Sequence, residues 1–492
     1  MSSTTINVII IGIYILMMIS IGVYCTKHSK SINGFLLGGR SLGPWLSAFA
    51  YGTSFFSAVI FIGYAGKNGW SLGLSAVWIG VGNAIIGCLI SWLVLAKRTR
   101  HMTHLLDAKT MSEFFEKRYI DKGMKVFSAI IIFIFLTPYA ASVYMGLSYL
   151  FSTVFPAIPY IWWMIVMAVL TAVYLTLGGY MATVLTDLVQ GIIMIIGICL
   201  VVFFVVNHDI VGGLYQGIEK LANIPSVGTD LVSFFGGRNW FNLLSLLILT
   251  SLGTWGLPQM IHKFYTVKEG KSIKEAAIIS TLFAMLISSG AYFIGSFGRL
   301  FLNNTLPEEG YDAIMPIMLN NALPKVMMGV LLVLILSASM STLSSVVMTS
   351  SSSLTIDLIK GLFAPKMSDK DVLGLMRILC VVFVAVSFTI AAFKPEEIIT
   401  LMSFSWGTVA GTFIGPYIWG LYSKKITRIG AWSGMILGFL TSILPALVSG
   451  FNAVYAPTFG MFAMIVSLVV TPLVSIYTPK YENEFVEEIF DK

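Results

Sequence analysis

Between Leu336 and Ser345 an otherwise apolar run carries hydroxyls at Ser337, Ser339, Ser341, Thr342, Ser344 and Ser345. On a helix, positions 338, 341, 342 and 345 follow the i, i+3, i+4, i+7 rule and share one stripe, with Ser344 on its border. Neutral oxygens are poor ligands for a transition metal, which takes imidazole or thiolate, and good ones for a hard alkali cation. The same residues have a second use: Ser and Thr in membrane helices bond back to the i−4 carbonyl or let helices approach closely. Asp187, in Thr186-Asp187-Leu188-Val189-Gln190, is the one carboxylate well inside the apolar sequence. Such an acid is costly in hydrocarbon unless paired and marks an ion or proton path by default, although near a helix start it also simply complements the helix dipole. Asp187 and Ser341–Ser345 fall at similar depth in their stretches, so a carboxylate and two or three hydroxyls make a small-cation shell. The lack of a second acid argues against a divalent ion.

The elements that hold these residues are membrane helices. The chain of 492 residues is 57% hydrophobic and only 11% charged, with a mean hydropathy of +0.88, which leaves too little polar surface for a soluble globular protein. Thirteen apolar stretches long enough to span a core of about 30 Å fall near 6–24, 44–66, 72–96, 126–153, 160–177, 184–206, 241–262, 276–301, 325–356, 376–392, 398–421, 430–449 and 457–477. With the N-terminus outside, 24 of the 30 Lys and Arg residues lie on the inside and 6 on the outside, which predicts a cytoplasmic C-terminus. The net charge of +7 then belongs to loops facing an anionic leaflet, not to a nucleic-acid surface. The first stretch lacks a basic leader and a small-residue cleavage site, so it reads as a retained helix. Cys25, Cys88, Cys199 and Cys380 lie in or beside separate stretches without C-x-x-C spacing, and no His pair joins a carboxylate in an H-E-x-x-H pattern. No catalytic constellation is present, which argues against an enzyme.

Most connections are short; the longer ones are Asn207–Trp240, Asn303–Pro324 and Lys97–Lys125. In the last, Thr110-Met111-Ser112-Glu113 has the form of a capping box opening an amphipathic helix that is expected to lie on the cytoplasmic face. Two spans look broken, Ser47–Ala65 around Gly52-Thr53-Ser54 and Leu249–His262 around Gly253, Gly256 and Pro258. Glycine costs a helix about 1 kcal/mol and proline about 3, and unwound backbone is tolerated at membrane depth only where it lines a cavity or is buried in protein. The breaks fall five spans apart. An odd offset reverses orientation, so two five-helix units would be inverted repeats with a substrate and ion site between the broken helices. Gly and Pro are also common in membrane helices that have no such role.

The chain resembles the sodium/solute symporters, the family of the proline, pantothenate, acetate and sialic acid carriers. The resemblance rests on Phe35-Leu-Leu-Gly-Gly-Arg-Ser-Leu-Gly-Pro-Trp45, Gly178-Gly179-Tyr180, Thr186-Asp187-Leu188-Val189-Gln190, Gly256-Leu257-Pro258 and Met340-Ser-Thr-Leu-Ser-Ser345, which span most of the chain. It implies an all-α integral membrane protein with 13 transmembrane helices in a leucine-transporter-type 5+5 inverted repeat. One extra helix precedes the core and two follow it. The layout is 1–43 for the N-terminal helix and loop, 44–206 for the first repeat, 241–421 for the second, and 422–492 for the last two helices and tail. It also implies a sodium site at Thr53, Phe56, Ala338, Ser341 and Thr342, and permits a second at Asp187, Ser344 and Ser345. For the solute, Ser54, Ser57, Tyr64, Tyr139, Trp255, Pro258 and Gln259 are expected to line the pocket. Thr254 and Thr250 stand where the proline carriers place aromatics, and Gly256-Leu257-Pro258 is closer to the pantothenate and acetate carriers.

The expected function is sodium-coupled symport of a small organic solute, an amino acid such as proline or a monocarboxylate, into the cell by alternating access. It would be carried out by a monomeric unit in the plasma membrane with one sodium ion, or two, and without nucleic acid. A proton-coupled carrier using Asp187 as relay is the alternative. A membrane solute sensor would need a longer cytoplasmic extension than Thr478–Lys492.

Overall fold

The computed structural model describes residues 3–28, 30–40, 42–268, 270–452, 454–479 and 489–490. Ser41 of the Phe35–Trp45 motif and most of the tail lie outside the described residues. The described residues are helical, with one isolated parallel bridge, Leu42 to Val267, in place of any sheet. This follows from the solvent: in hydrocarbon every backbone N–H and C=O must be satisfied within the span, and a helix does so without an edge.

The helices used below are α1 (Ser3–Cys25), α2 (Pro44–Phe55), α3 (Ala65–Leu72), α4 (Val77–Gly82, continued by wider turns through Asn83–Ile90 and Trp92–Ala96 into Lys97–Leu105), α5 (Met111–Tyr119), α6 (Lys122–Val154), α7 (Tyr160–Asn207), α8 (Trp240–Gly253), α9 (Pro258–Thr266), α10 (Lys271–Gly295), α11 (Met327–Ser352), α12 (Asp369–Phe393), α13 (Ile398–Tyr422), α14 (Arg428–Val448) and α15 (Ala456–Tyr477). Eleven helical runs among the described residues are long and apolar enough to cross a membrane, where the sequence predicts thirteen. The difference lies in Val59–Leu105 and Tyr160–Asn207, which run to 47 and 48 residues. At 1.5 Å per residue each would reach about 70 Å if straight, more than twice the hydrocarbon thickness. Both turn instead at a glycine with positive φ, Gly73 (φ 58°) and Gly179 (φ 59°), with helix on either side and no loop between. At Gly179 a side chain would also strike Phe35, its Cβ falling 2.7 Å from the ring. The Gly178-Gly179-Tyr180 and Phe35–Gly38 segments are therefore one packed corner.

The most apolar windows of α11 and α13 are each 94% buried, against 22% for α1 and 33% for α12 and α14. Hence α11 and α13 form the centre of the bundle, and the other three carry the lipid-facing surface.

Both expected helix breaks exist, at slightly different places. The first falls at Phe56 (φ −107°, ψ 100°), after α2, and not at Gly52-Thr53-Ser54, which remain helical. Gly52 serves packing: a Cβ there would lie 2.5 Å from the Phe283 ring of α10. Ser57 closes the break by accepting the Val59 N–H at 3.2 Å. The second break runs from Thr254 to Leu257, whose extended backbone (φ −86°, ψ 119°) delivers Pro258 to the first turn of α9. There its missing N–H costs nothing. Gly256 permits close approach to α13, since a Cβ would sit 2.7 Å from the Ala410 carbonyl oxygen. The approach to α2 and the end of α9 are joined by the Leu42–Val267 bridge, with Leu42 N–H to Thr266 O at 3.1 Å and Lys268 N–H to Leu42 O at 2.9 Å. The two broken helices thus share an anchor.

The Thr110 hydroxyl accepts the Glu113 N–H at 3.0 Å, as a capping box requires, while the Glu113 carboxylate reaches Lys109 N–H at 2.7 Å, one residue before the cap. The helix it opens, α5, is packed against the bundle. Phe114 and Phe115 are fully buried against Tyr417 and Phe413 of α13, and the Tyr119 hydroxyl donates to the Pro416 carbonyl at 2.6 Å.

Candidate functional site

The hydroxyl-bearing helix α11 lies against α2 just before its break, and the two helices meet oxygen to oxygen. Ser341 Oγ donates to Thr53 Oγ1 at 2.7 Å, and Thr342 Oγ1 lies 3.4 Å from the carbonyl oxygen of Thr53 and 3.3 Å from that of Ser54. Thr53, Phe56, Ala338, Ser341 and Thr342 are all fully buried. Ala338 follows one turn before Ser341 on the same face of α11, and Phe56 is the residue at the break. Hydroxyl and carbonyl oxygens gathered at an unwound helix end, with no thiolate or imidazole, are the donor set an alkali cation takes. The residues present fit sodium.

The stripe divides by side-chain use. Ser339 and Ser344 bond back to carbonyls of their own helix, Ile335 and Ser341, at 2.7 and 2.8 Å. They behave as ordinary membrane-helix hydroxyls. Ser345 turns outward and shares a 2.7 Å hydrogen bond with Ser54. Asp187, fully buried on α7, stands beside the Thr53 and Ser341 side chains. The carboxylate of the expected second ion site therefore borders the first site.

The residue that the sequence reading missed is Lys263. Counted by hydropathy among the basic loop residues, it is in fact 2% exposed within α9. Its Nζ donates to Ser345 Oγ at 2.9 Å, lies 3.9 Å from Asp187 Oδ2 and sits 5.2 Å from the Tyr180 ring centre. The hydropathy signal ends a span at the first charge, so it places a lysine belonging to the half-helix after Pro258 in the loop beyond it. The signal that finds it is chemical: a carboxylate buried in hydrocarbon calls for a cationic partner.

The expected solute residues fall into separate groups. Tyr139 is fully buried, its ring 5.6 Å from that of Trp406 in a T-shaped contact, and its hydroxyl faces Ser57 and Thr342 without a hydrogen bond among the described residues. Gln259 is buried with neither amide atom hydrogen-bonded among the described residues, one position after Pro258 at the start of α9. Buried polar groups without partners are rare and ask for a reason, which a bound polar ligand would supply. Tyr64 is tied to α13 through Ser403 Oγ at 2.7 Å, and Ser54 faces Ser345. Trp255, half-buried, donates its indole N–H to the Ile86 carbonyl of α4 at 3.0 Å, and so is occupied in helix packing. Thr254 and Thr250 do likewise, reaching Gly87 O at 3.1 Å and Asn83 Oδ1 at 2.8 Å on α4. Trp406, which the sequence reading did not single out, is the aromatic that spans both breaks. It stacks on Phe55 at 5.8 Å, meets Tyr139, lies where a Cβ on Gly253 would come within 3.4 Å of its ring, and has no indole N–H partner among the described residues.

A profile of the sodium:solute symporter family matches residues 35–438. Among characterised proteins, the chain is 31% identical to Sodium/proline symporter 2 of Staphylococcus saprophyticus, over 98% of this chain and 95% of that one. It is equally similar to the Sodium/proline symporter of Staphylococcus aureus, over the same shares. Among solved structures, a Na+-coupled sialic acid symporter in a substrate-bound outward-open state superposes with a TM-score of 0.77 at 16% identity, covering 96% of this chain and 98% of that one. Mhp1, a nucleobase-cation-symport-1 family transporter in a closed conformation, superposes at 0.53 and 13% identity, covering 94% and 98%. A family match across most of the chain, near-complete alignment to characterised symporters, and oxygens gathered at a broken helix agree: this multi-pass membrane protein is a transporter of the sodium:solute symporter family.

Proposed function

We propose that the chain imports a small organic solute, with proline as the first candidate and a compact monocarboxylate as the second, driven by sodium through alternating access. The observation that carries this reading is the Thr53–Ser341–Thr342 junction. A sodium ion held by the Thr53, Phe56 and Ala338 carbonyls and the Ser341 and Thr342 hydroxyls would fasten the broken helix α2 to α11. Release of the ion would free them to part. Tyr139, Trp406 and Gln259 are the proposed solute contacts, with Ser57 and Pro258 at the helix breaks. Thr250 and Thr254 serve packing against α4, so the missing aromatics at those positions do not exclude proline, which the relatives named above carry.

The proposed layout has thirteen crossings, counting two in each of the bent runs, with 44–206 and 241–421 as inverted repeats about the two breaks. The N-terminus is outside, the C-terminus cytoplasmic, and the working unit a monomer. The test is uptake of labelled proline and short monocarboxylates into vesicles. Uptake is expected to need an inward sodium gradient, and equal uptake with potassium replacing sodium at fixed pH overturns the proposal. The buried Asp187–Lys263 pair favours one second reading, proton coupling through Asp187. That reading predicts loss of uptake when the proton gradient is collapsed at constant sodium.

A further inference from the structure

The place where Asp187, Ser344 and Ser345 would hold a second sodium already contains a cation belonging to the chain. Lys263 Nζ donates to Ser345 Oγ at 2.9 Å and stands 3.9 Å from Asp187 Oδ2. The two hydroxyls of that pocket are engaged as well, whereas neither Asp187 carboxylate oxygen has a hydrogen bond among the described residues, so the ammonium is the counter-charge it faces. Ser345 also bonds Ser54 at 2.7 Å, and Ser344 turns its hydroxyl to the Ser341 carbonyl at 2.8 Å. Both members of the ion pair are out of contact with solvent, at 2% and 0% side-chain exposure. One carboxylate balances one positive charge there. A sodium ion entering beside the ammonium would add a second positive charge at a few ångströms in low dielectric, with no further acid among the described residues there to offset it.

We infer that Lys263 is a tethered resident cation that fills the second ion position, so that this transporter moves one sodium per solute. The inference rests on the sodium-coupled reading above and sharpens its stoichiometry. It also assigns a positioning role. Lys263 belongs to the second broken helix, whereas Asp187 and Ser345 belong to α7 and α11. The lysine therefore ties α9 to its neighbours as an ion would, but cannot dissociate at the end of the cycle.

The test uses the full chain in proteoliposomes, with paired fluxes of labelled sodium and solute, and sodium binding followed by tryptophan fluorescence without solute. For the unaltered protein the expected results are a flux ratio of one and a sodium Hill slope near one. In Lys263→Met the ammonium is lost while Asp187 and Ser345 remain, and the slope is expected to rise toward two as a second sodium enters. In Lys263→Met with Asp187→Asn it is expected to return to one. A ratio and slope of two in the unaltered protein overturn the inference whether or not the variants fold, and leave sodium coupling intact. A folded Lys263→Met variant whose slope stays at one overturns it too. Uptake indifferent to sodium removes the underlying reading, and the inference with it.

Discussion

At the scale of single residues, the site is a matter of which oxygens are still free. Six hydroxyls on one short run of α11 look alike in sequence, yet hydrogen bonds separate five of them into back-bonded Ser339 and Ser344 and outward-facing Ser341, Thr342 and Ser345. A hydrogen bond or ligand contact to a charged group is worth about 1.5–3 kcal/mol, which corresponds to roughly 10- to 100-fold in affinity. Ser341→Ala is accordingly expected to raise the sodium concentration for half-maximal uptake by roughly that factor, whereas Ser339→Ala leaves it near the original value. Sodium titration of uptake compares the two. Trp406 lies between Phe55 and Tyr139 and not on the sodium ligands. Trp406→Ala is expected to raise the solute KM about tenfold or more while solute-free sodium binding, read by calorimetry, stays unchanged. A matching loss of sodium affinity contradicts this division of labour.

At the scale of elements, small residues decide how closely helices pass. Gly69 of α3 and Gly295 of α10 meet backbone to backbone: a Cβ on Gly69 would sit 2.2 Å from the Gly295 carbonyl carbon. Neither chain can yield as a side-chain tip could, so Gly69→Ala is expected to cost roughly 1–3 kcal/mol. Gly12→Ala, with nothing within 4 Å of the added methyl, is expected to leave the melting temperature unchanged. A second contact of elements is the clasp between α3 and the start of α13. Lys67 Nζ meets Glu397 Oε2 at 2.6 Å, and the nearby Asp312 accepts the Ile398 N–H at 3.0 Å. Burial pushes the Asp312 carboxyl up to about 7, the Ile398 N–H opposing the rise, Glu397 adding to it, and Lys67 and Lys394 opposing it. Because the folded value exceeds the ordinary 3.8, the folded arrangement holds a proton that the unfolded chain releases. Its stabilising effect is complete below about pH 4 and fades as pH rises through about 7. The melting temperature is therefore expected to fall more between pH 5 and pH 8 in the unaltered protein than in Asp312→Asn, and parallel curves exclude this assignment.

At the scale of the whole molecule, Thr53, Phe56, Ser341, Thr342, Tyr139, Gln259 and Trp406 are all buried, so on the proposed alternating-access cycle the bundle would open first toward one face and then toward the other. The energy available sets the limit. One charge crossing about 100 mV yields about 2.3 kcal/mol, and a tenfold sodium gradient adds about 1.4. One sodium per solute therefore supports roughly 500-fold accumulation, and two the square of that. Steady-state accumulation in vesicles at that fixed potential and gradient is expected to level off near the lower figure.

Amino-acid types and spacing alone determined the solvent and the chemistry. Low charge with long apolar stretches required membrane helices, and Gly and Pro clusters announced two breaks. The hydroxyl stripe and Asp187 announced a cation. Those features are local, and lipid leaves the backbone few alternatives. The tertiary structure decided the rest, because it concerns residues far apart in the chain. It turned Gly52 from a break into a packing position and set Trp406, 351 residues after Phe55, against it. It also drew Lys263 out of a basic loop and laid it beside Asp187. Hydropathy reads each residue's own preference for water. Whether a lysine meets a carboxylate inside the bundle depends on how the second broken helix packs against its neighbours, and only the folded chain contains that.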